Sequence, residues 1–294
     1  MHTNFLSRFP TPRRPLLLSA TLVAACAIVG SPARASPFNV TFEAPGVQSA
    51  NQTSLCATLG TGTCTIGVET FDERPTGAGQ TFSTNYGTGG VISGTYSNLE
   101  VAPASLYGGA ADSNYAVTYA SSGYQVSLAT TLPTGVNYFG FWLSALDQGN
   151  TVTFYDGTTQ VYQFTPTDLI GMVGVCPNAA NAYCSNPTPA FQGQDNYQPF
   201  VFVNFFDQQG SFDRIVFAEN PTTGGYESDN HTVGYVTGIS GIAVTPVPEP
   251  ASLTLLAVGF AGLALRRYRG RGMTACAALL HGSAAEPGKA AERS

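Results

Sequence analysis

The sequence predicts an all-β protein, a β-sandwich of the jelly-roll kind, with an N-terminal signal peptide and a C-terminal single transmembrane helix. Three observations lead to this prediction. Only 10 % of the residues are charged while glycine is frequent, so polar helix-forming runs are missing and turn residues are abundant. Short apolar segments alternate with turn sequences through the middle of the chain. Two of these segments are apolar on both faces, which is typical of central strands that a second sheet covers.

The first 35 residues have the pattern of an export signal. Several arginines precede a long apolar run, and the Ala-Arg-Ala sequence at 33–35 fits the small-residue rule for signal peptidase. We therefore predict export by the secretion machinery and cleavage before Ser36. Two other interpretations stay open, because the Val-Ala-Ala-Cys sequence ending at Cys26 resembles a lipoprotein box and the arginine pair resembles a twin-arginine signal.

The body that follows, predicted to span residues 36–243, is strongly acidic. Between Ser36 and Val247 there are two arginines, no lysine and fifteen Asp and Glu, which gives a net charge of −13. Such a surface repels phosphate backbones, so the charge argues against nucleic acid as a partner. Cations and neutral sugars remain compatible with it.

Four cysteines of the body form two spaced pairs, Cys56 with Cys64 and Cys176 with Cys184. An even number of cysteines in an exported chain indicates disulfides, and loops this short close readily. Local pairing is therefore predicted, although the crossed connectivities stay open. A zinc site is the competing interpretation, but the body has a single histidine, His231, and lacks closely spaced cysteine pairs.

Individual strands can be predicted from alternating apolar residues between turn signals. YQVSLAT from Tyr124 is one such strand, and the stretch 137–164 is predicted to form a three-stranded meander whose first strand has one core face. Further on, two apolar runs joined by DQQGS at 207–211 predict a second hairpin. The segment from Pro166 to Gln198 is rich in loop residues.

Near the C-terminus, the sequence Pro248-Glu249-Pro250 is followed by fifteen uncharged residues, 251–265. As a helix this run would be about 22 Å long, somewhat less than the ~30 Å hydrocarbon core of a bilayer. A cluster of arginines follows directly: Arg266, Arg267, Arg269 and Arg271. By the positive-inside rule these arginines place the acidic body outside the cytoplasm.

The order of Pro-Glu-Pro, apolar helix and arginine cluster resembles the PEP-CTERM sorting signal of Gram-negative bacteria, carried here by residues 247–269. The resemblance implies that an exosortase, a membrane cysteine protease, recognises Pro248, Glu249 and Pro250, and that the helix anchors the chain in the inner membrane until processing. We assign residues 244–272 to this segment. The chain then continues through a tail, 273–294, which departs from the usual short end of such signals. A plain membrane anchor is the alternative.

The body resembles a group of exosortase-dependent surface proteins with jelly-roll-like domains. The residues that carry this likeness are VETFD at 68–72 and the stretches 137–150 and 212–236. The resemblance implies a cell-surface or extracellular protein with a structural or adhesive role in the envelope, associated with exopolysaccharide.

A calcium site in the body is a further hypothesis. Hard cations bind carboxylate and amide oxygens on turns, and the segment 224–232 offers several beside flexible glycines. If the first and last strands meet, the candidate ligands are Glu43, Glu69, Glu227, Asp229 and Asn230. A solvated turn is the alternative.

Carbohydrate binding, with or without calcium, is the alternative biochemical role. Sugars stack on aromatic rings, for which the candidates are Trp142, Tyr155, Tyr162 and Tyr197, with core packing as the other interpretation of Trp142. We do not expect an enzyme, because no GxSxG motif is present. A glycan-active hydrolase would need a carboxylate pair such as Glu69 with Asp72, or Glu227 with Asp229.

Overall fold

The computed structural model describes residues 38–56, 64–220 and 224–244. In chain order, the strands of these residues are β1 (Phe38–Phe42), β2 (Thr65–Glu69), β3 (Gly77–Thr84), β4 (Ile92–Ala102), β5 (Tyr115–Thr118), β6 (Tyr124–Thr130), β7 (Tyr138–Ser144), β8 (Asn150–Asp156), β9 (Thr159–Phe164), β10 (Val201–Asp207), β11 (Arg214–Glu219), β12 (Tyr226–Tyr235) and β13 (Ile242–Ala243). Two short helices accompany them, α1 (Gln52–Cys56) and α2 (Thr167–Val173). The prediction of an all-β body is confirmed.

The strands of the described residues form one antiparallel sheet that curls back on itself. Their order is β13-β1-β10-β7-β12-β5-β4-β6-β11-β8-β9, with β2 paired to β12 and β3 to β4. Ring contacts join strands that are distant in this order. Phe139 of β7 lies 5.9 Å from Phe217 of β11, and Phe205 of β10 lies 5.1 Å from Phe154 of β8. The hydrophobic core therefore lies between the two halves of the curled sheet.

The predicted three-stranded meander is wrong at its first strand. β8 and β9 form the expected hairpin, but β7 pairs with β10 and β12 instead of β8. Residues 145–149, which look like a hairpin turn, carry the chain from one half of the sheet to the other. β7 is also buried on both faces, because Phe139 packs in the main core while Trp142 packs against Phe200 on the opposite face.

The second predicted hairpin is wrong for the same reason. β10 pairs with β1 and β7, whereas β11 pairs with β6 and β8, so residues 208–213 also connect the two halves. Burial on both faces is confirmed for β10, which is buried along its whole length. β11 alternates between buried and partly exposed residues, and Ile215 and Phe217 supply its core face.

A buried polar network lies within the core beside these strands. A β-bulge in β12, with Asn230 at φ 49°, turns His231 to the same face as Ser228. The imidazole of His231 lies 3.0 Å from the Ser228 hydroxyl through Nε2 and 3.0 Å from the Tyr96 hydroxyl through Nδ1. Burial lowers the pKa of His231 to about 3, so the ring is neutral at physiological pH.

Both predicted disulfides are present with local connectivity. Cys56 bonds Cys64 and Cys176 bonds Cys184, with Cα–Cα distances of 5.5 and 5.7 Å. The loop between Cys176 and β10 has little regular structure, in agreement with its composition, apart from a 3-10 turn at Pro189–Phe191. The helix α2 at the start of the predicted loop segment was not foreseen.

Neither α1 nor α2, the helices of the described part of the chain, has the length and apolar content to cross a bilayer. The predicted signal peptide at 1–35 lies outside the described residues, as do the Pro248-Glu249-Pro250 motif, the apolar run and the arginines that follow it.

Candidate functional site

A cleft of about 580 Å³ opens at one end of the strands in the middle of the sheet. Its lining residues come from several separate loops and strand ends: Tyr107, Tyr119, Ala145, Asp147, Gln198, Gly224, Gly225 and Glu227. The strands β10, β7, β12 and β5 are consecutive neighbours in the sheet. Because neighbouring strands run antiparallel, the last residues of β5 and β7 lie beside the first residues of β10 and β12 at the cleft. The volume is within the usual range for a small-molecule site.

Two tyrosines form the aromatic walls of the cleft. The side chains of Tyr107 and Tyr119 are 49 % and 53 % exposed, in a body whose other aromatic rings are mostly in the core. The loop before Tyr107 is held by Asn186, whose amide donates hydrogen bonds to the carbonyls of Ser105 and Leu106 at 3.3 and 3.1 Å. The ring of Tyr107 is therefore presented from an anchored loop.

The acidic group of the cleft is Glu227, at the start of β12. Its side chain is only 5 % exposed, and Oε2 has no hydrogen-bond partner among the described residues. Burial raises the pKa of Glu227 to about 8, and the nearby charges of Asp147, Glu219 and Asp195 add to the rise. A buried carboxyl without a donor is costly, so this group favours a ligand that brings one.

Asp147 and Glu219 fix the backbone around Glu227. Oδ1 of Asp147 accepts a hydrogen bond from the Gly149 amide at 2.7 Å, and Oε1 of Glu219 accepts one from the Gly224 amide at 2.7 Å. Burial raises the pKa of Asp147 as well. A β-carbon on Gly224 would come within 2.9 Å of Asp147 Oδ2, so the glycine allows the backbone to approach the carboxylate.

Asp229, two residues along β12, supports the cleft from behind. Its Oδ2 accepts hydrogen bonds from the Ala110 amide at 2.7 Å and the Ser113 hydroxyl at 2.9 Å, and Oδ1 accepts one from the Asn230 amide at 2.6 Å. Burial raises the pKa of Asp229 to about 8 against the opposing effect of these donors. The Asp229 carboxyl therefore ties β12 to the 3-10 turn at Ala110–Asp112, which follows Tyr107.

The residues proposed as calcium ligands do not converge. Glu227 lines the cleft, whereas Asp229 is bound to the backbone donors just described and Asn230 donates to the carbonyl of Gln48 at 2.8 Å. Glu43 accepts a hydrogen bond from Asn204 at 2.9 Å beside β1. In the described part of the chain, no group of three or more His, Cys, Asp and Glu side chains is arranged to hold a metal ion.

Glu69, the remaining calcium candidate, is held by Arg74. The two side chains form an ion pair with Nη2 2.6 Å from Oε2, and Nε donates a second hydrogen bond to Oε1 at 3.1 Å. The Arg74 guanidinium also lies over the ring of Phe82, 4.2 Å from its centroid. Glu69 therefore stabilises the turn after β2, and both of its carboxylate oxygens are engaged by Arg74.

The four aromatic residues predicted for sugar stacking do not line the cleft. Trp142 is buried, Tyr162 stacks on Phe38 with a centroid distance of 4.6 Å, and Tyr155 lies beneath the Arg214 guanidinium. Tyr197 is 72 % exposed but is not a lining residue. Tyr107 and Tyr119 are not among the predicted residues, although each stands beside glycine, serine or alanine residues of a turn or loop.

Comparison with known protein families matches residues 246–269 to the PEP-CTERM protein-sorting motif. This confirms the predicted sorting signal, and Pro248, Glu249 and Pro250 lie within the matched residues. It supports a secreted, exosortase-sorted protein associated with the envelope of a Gram-negative bacterium. No curated protein matches the chain. The match covers only residues 246–269, so the function of the body has to be inferred from the geometry of the body itself.

Proposed function

We propose that this chain is an exosortase-sorted surface protein whose acidic body binds saccharide in the surrounding exopolysaccharide. The observation that carries the proposal is the cleft itself, which is lined by two half-exposed tyrosines and a buried carboxyl group. The sorting motif supports the location, since its recognition by exosortase requires an exported chain.

The chemistry of the cleft suits a sugar. The apolar faces of a pyranose ring stack on aromatic side chains such as Tyr107 and Tyr119. Sugar hydroxyls donate to carboxyl oxygens such as those of Glu227 and Asp147, and both donate to and accept from the amide of Gln198. These polar groups line the same cleft as the two rings, so one ligand can use both kinds of contact.

The proposed organisation retains the limits derived from the sequence: a signal peptide at 1–35, a jelly-roll-like body at 36–243 and a sorting segment at 244–272. The curled antiparallel sheet supports the jelly-roll assignment. The crossings at 145–149 and 208–213 support it further, because chain segments that pass from sheet to sheet are typical of Greek-key sandwiches. Exosortase then processes the chain near Pro248–Pro250 and frees the body from its membrane helix.

We assign binding and not catalysis to the cleft. In the described residues the sole histidine, His231, is fully buried in the core with Ser228, away from any ligand in the cleft. The buried Glu227 and Asp229 also differ in role, because Asp229 already accepts hydrogen bonds from three protein donors.

Affinity electrophoresis of the full-length chain, in mild detergent, tests the proposal with exopolysaccharide from the producing bacterium in the gel. We expect the polysaccharide to retard the chain, and the double variant Tyr107→Ala/Tyr119→Ala to lose this retardation. Tyr197→Ala removes a still more exposed ring outside the cleft and is the control. A wild-type chain that migrates unchanged by the polysaccharide would show the proposed function to be wrong.

A further inference from the structure

The surroundings of the cleft are one-sided in charge. Asp147 and Glu227 line it, Glu219 lies behind Gly224, and none of the described residues that line it is basic. The two arginines of the described body are engaged elsewhere, Arg74 with Glu69 and Arg214 with the ring of Tyr155. A ligand in the cleft therefore meets carboxyl groups, with no cation of the described body nearby to balance them.

The unpartnered oxygen of Glu227 is a second and independent indication. The side chain is nine-tenths buried and lines the cleft, and Oε2 lacks a donor among the described residues. Structures rarely leave a buried carboxyl oxygen unpaired, since its desolvation is then uncompensated. A ligand in the cleft can supply the hydrogen-bond donor that Oε2 of Glu227 lacks.

The size and walls of the cleft favour an organic cation over a metal ion. About 580 Å³ is far more than a metal needs, and the described residues provide no cluster of three ligating side chains. The faces of Tyr107 and Tyr119 attract an ammonium group through their quadrupoles as well as an apolar ring face. The required ligand therefore combines a ring, hydroxyl groups and a positive charge.

From these contacts we infer that the cleft selects an amino sugar whose amino group is free and protonated, and that Glu227 receives the ammonium group. The inference rests on the proposed saccharide-binding function and names its ligand class. Stacking on the tyrosines holds the ring, while the charged amine supplies the donor that Oε2 lacks.

Charge explains why the amine is preferred to its N-acetylated form. A hydrogen bond between an ammonium and a carboxylate is about twice as strong as a neutral one. Asp147 from the β7–β8 loop, Glu219 from β11 and Asp195 from the loop before β10 all act on Glu227 and oppose its ionisation. A bound cation reverses that balance and favours the carboxylate, whereas an acetamido group does not.

Titration calorimetry on the full-length chain tests the inference. The probes are a glucosamine hexamer with free amines and the N-acetylglucosamine hexamer of equal length, compared at pH 6. We expect the free-amine hexamer to bind at least about fivefold more tightly, from the difference between charged and neutral hydrogen bonds. Glu227→Gln should abolish this preference and keep the weaker, stacking-dependent affinity.

Two further variants separate local from general electrostatics. Asp156→Asn removes an exposed carboxylate at the far end of β8 from Asp147 and should keep the preference. If Glu227→Gln does not fold, Asp147→Asn provides a second variant of a cleft-lining residue. It should reduce the preference for the free-amine hexamer. If Asp156→Asn and Glu227→Gln lower the preference for the free-amine hexamer equally, the preference comes from the overall charge of the protein and the inference is overturned.

The remaining outcomes distinguish the inference from the proposed function. Equal affinity for both hexamers would overturn amine selection and leave saccharide binding intact. If neither hexamer binds while the native exopolysaccharide still retards the chain, amine selection is wrong and the proposed function stands. If neither hexamer nor exopolysaccharide binds, both are wrong.

Discussion

Gly225 and Glu227 lie so close that a β-carbon on Gly225 would overlap Oε1 of the Glu227 carboxyl. That β-carbon on Gly225 would also lie 3.0 Å from Cε1 of Tyr119. The missing side chain therefore allows an aromatic wall and the acidic group of the cleft to approach one backbone segment. Since Glu227 Oε1 is at the end of a side chain, a β-carbon at this position would displace the carboxyl before it displaces the strand.

The first prediction concerns that contact. Gly225→Ala should weaken retardation by exopolysaccharide and remove the preference for the free amine, because the Glu227 carboxyl moves out of position. Affinity electrophoresis and calorimetry measure both effects. Gly171→Ala in α2 is the control, since a β-carbon on Gly171 would meet nothing within 4 Å and alanine favours a helix by roughly 0.5–1 kcal/mol. Full binding by Gly225→Ala would contradict the assigned role of the contact.

Asp229 should position the cleft without touching the ligand. Asp229→Ala removes the acceptor for the Ala110 amide and the Ser113 hydroxyl, so we expect a loss of about 1–3 kcal/mol in the free energy of unfolding. Saccharide affinity should also fall, because the turn behind Tyr107 is released. Urea unfolding and calorimetry measure the two losses. Asp229→Asn keeps an acceptor and should restore part of each, whereas an unchanged affinity in both variants would separate Asp229 from the cleft.

The buried carboxyls give the stability a defined dependence on pH. The pKa of Glu227 is raised from 4.5 to about 8, so between these values the folded chain binds more protons than the unfolded chain. The contribution of Glu227 to the free energy of unfolding therefore falls as pH rises from about 4.5 to about 8, and is constant above that. Asp229 acts in the same direction.

Glu227→Gln tests this dependence, because its side chain is neutral at every pH. We expect the decline in Tm between pH 6.5 and 8 to be shallower in Glu227→Gln than in the wild type, while Asp156→Asn keeps the wild-type slope. The range stays above the ordinary pKa of histidine, so His231 contributes little to the difference. Parallel Tm curves for wild type and Glu227→Gln would contradict the raised pKa.

His231 should be a structural residue. His231→Phe keeps a ring of similar size among Phe71, Phe139 and Phe217 but removes both imidazole hydrogen bonds, so we expect a loss of about 1–3 kcal/mol in the free energy of unfolding. Below pH 6.5 the wild type should lose stability through this residue, since its folded pKa is lowered to about 3 and protonation favours unfolding. Saccharide binding at pH 7 should be unchanged. Impaired binding by a folded variant would assign His231 a role in the cleft.

Local signals in the sequence were sufficient to predict individual strands but not their partners. The apolar alternation of β6 and β7 identified both strands, because side-chain periodicity follows from the backbone geometry of a strand. The turn signals at 147–150 and 207–211 predict hairpins wrongly, since a turn sequence does not reveal whether the chain returns beside the same strand or crosses the core. Which of the two paths the chain takes is determined by how the whole sheet curls.

The candidate site was predicted in part for the same reason. The sequence predicts Glu227 as a calcium ligand from its place beside two glycines, a local feature, and the structure places it in the lining of the cleft. Tyr119 reaches it only because β5 and β12 are neighbours, a long-range pairing with no signal in either segment. The loop of Tyr107 is joined to β12 by the hydrogen bond from the Ala110 amide to Asp229, which is equally long-range. The calcium set failed at Glu69, whose carboxylate is neutralised by Arg74, five residues away along the chain.

The last prediction concerns sorting, where the motif at 246–269 gives a definite expectation. In the producing bacterium, the intact mass of the mature chain should correspond to a start at Ser36 and an end near Pro248–Pro250. Deletion of the exosortase should instead leave a membrane-bound chain that retains Arg266 and the residues after it. Replacing Glu249 with alanine in an otherwise unchanged chain should reproduce this effect if the Pro-Glu-Pro sequence is the recognised element. A mass that includes Arg266 in both strains would make the segment a plain anchor, because the positive-inside arginines alone would then account for its topology.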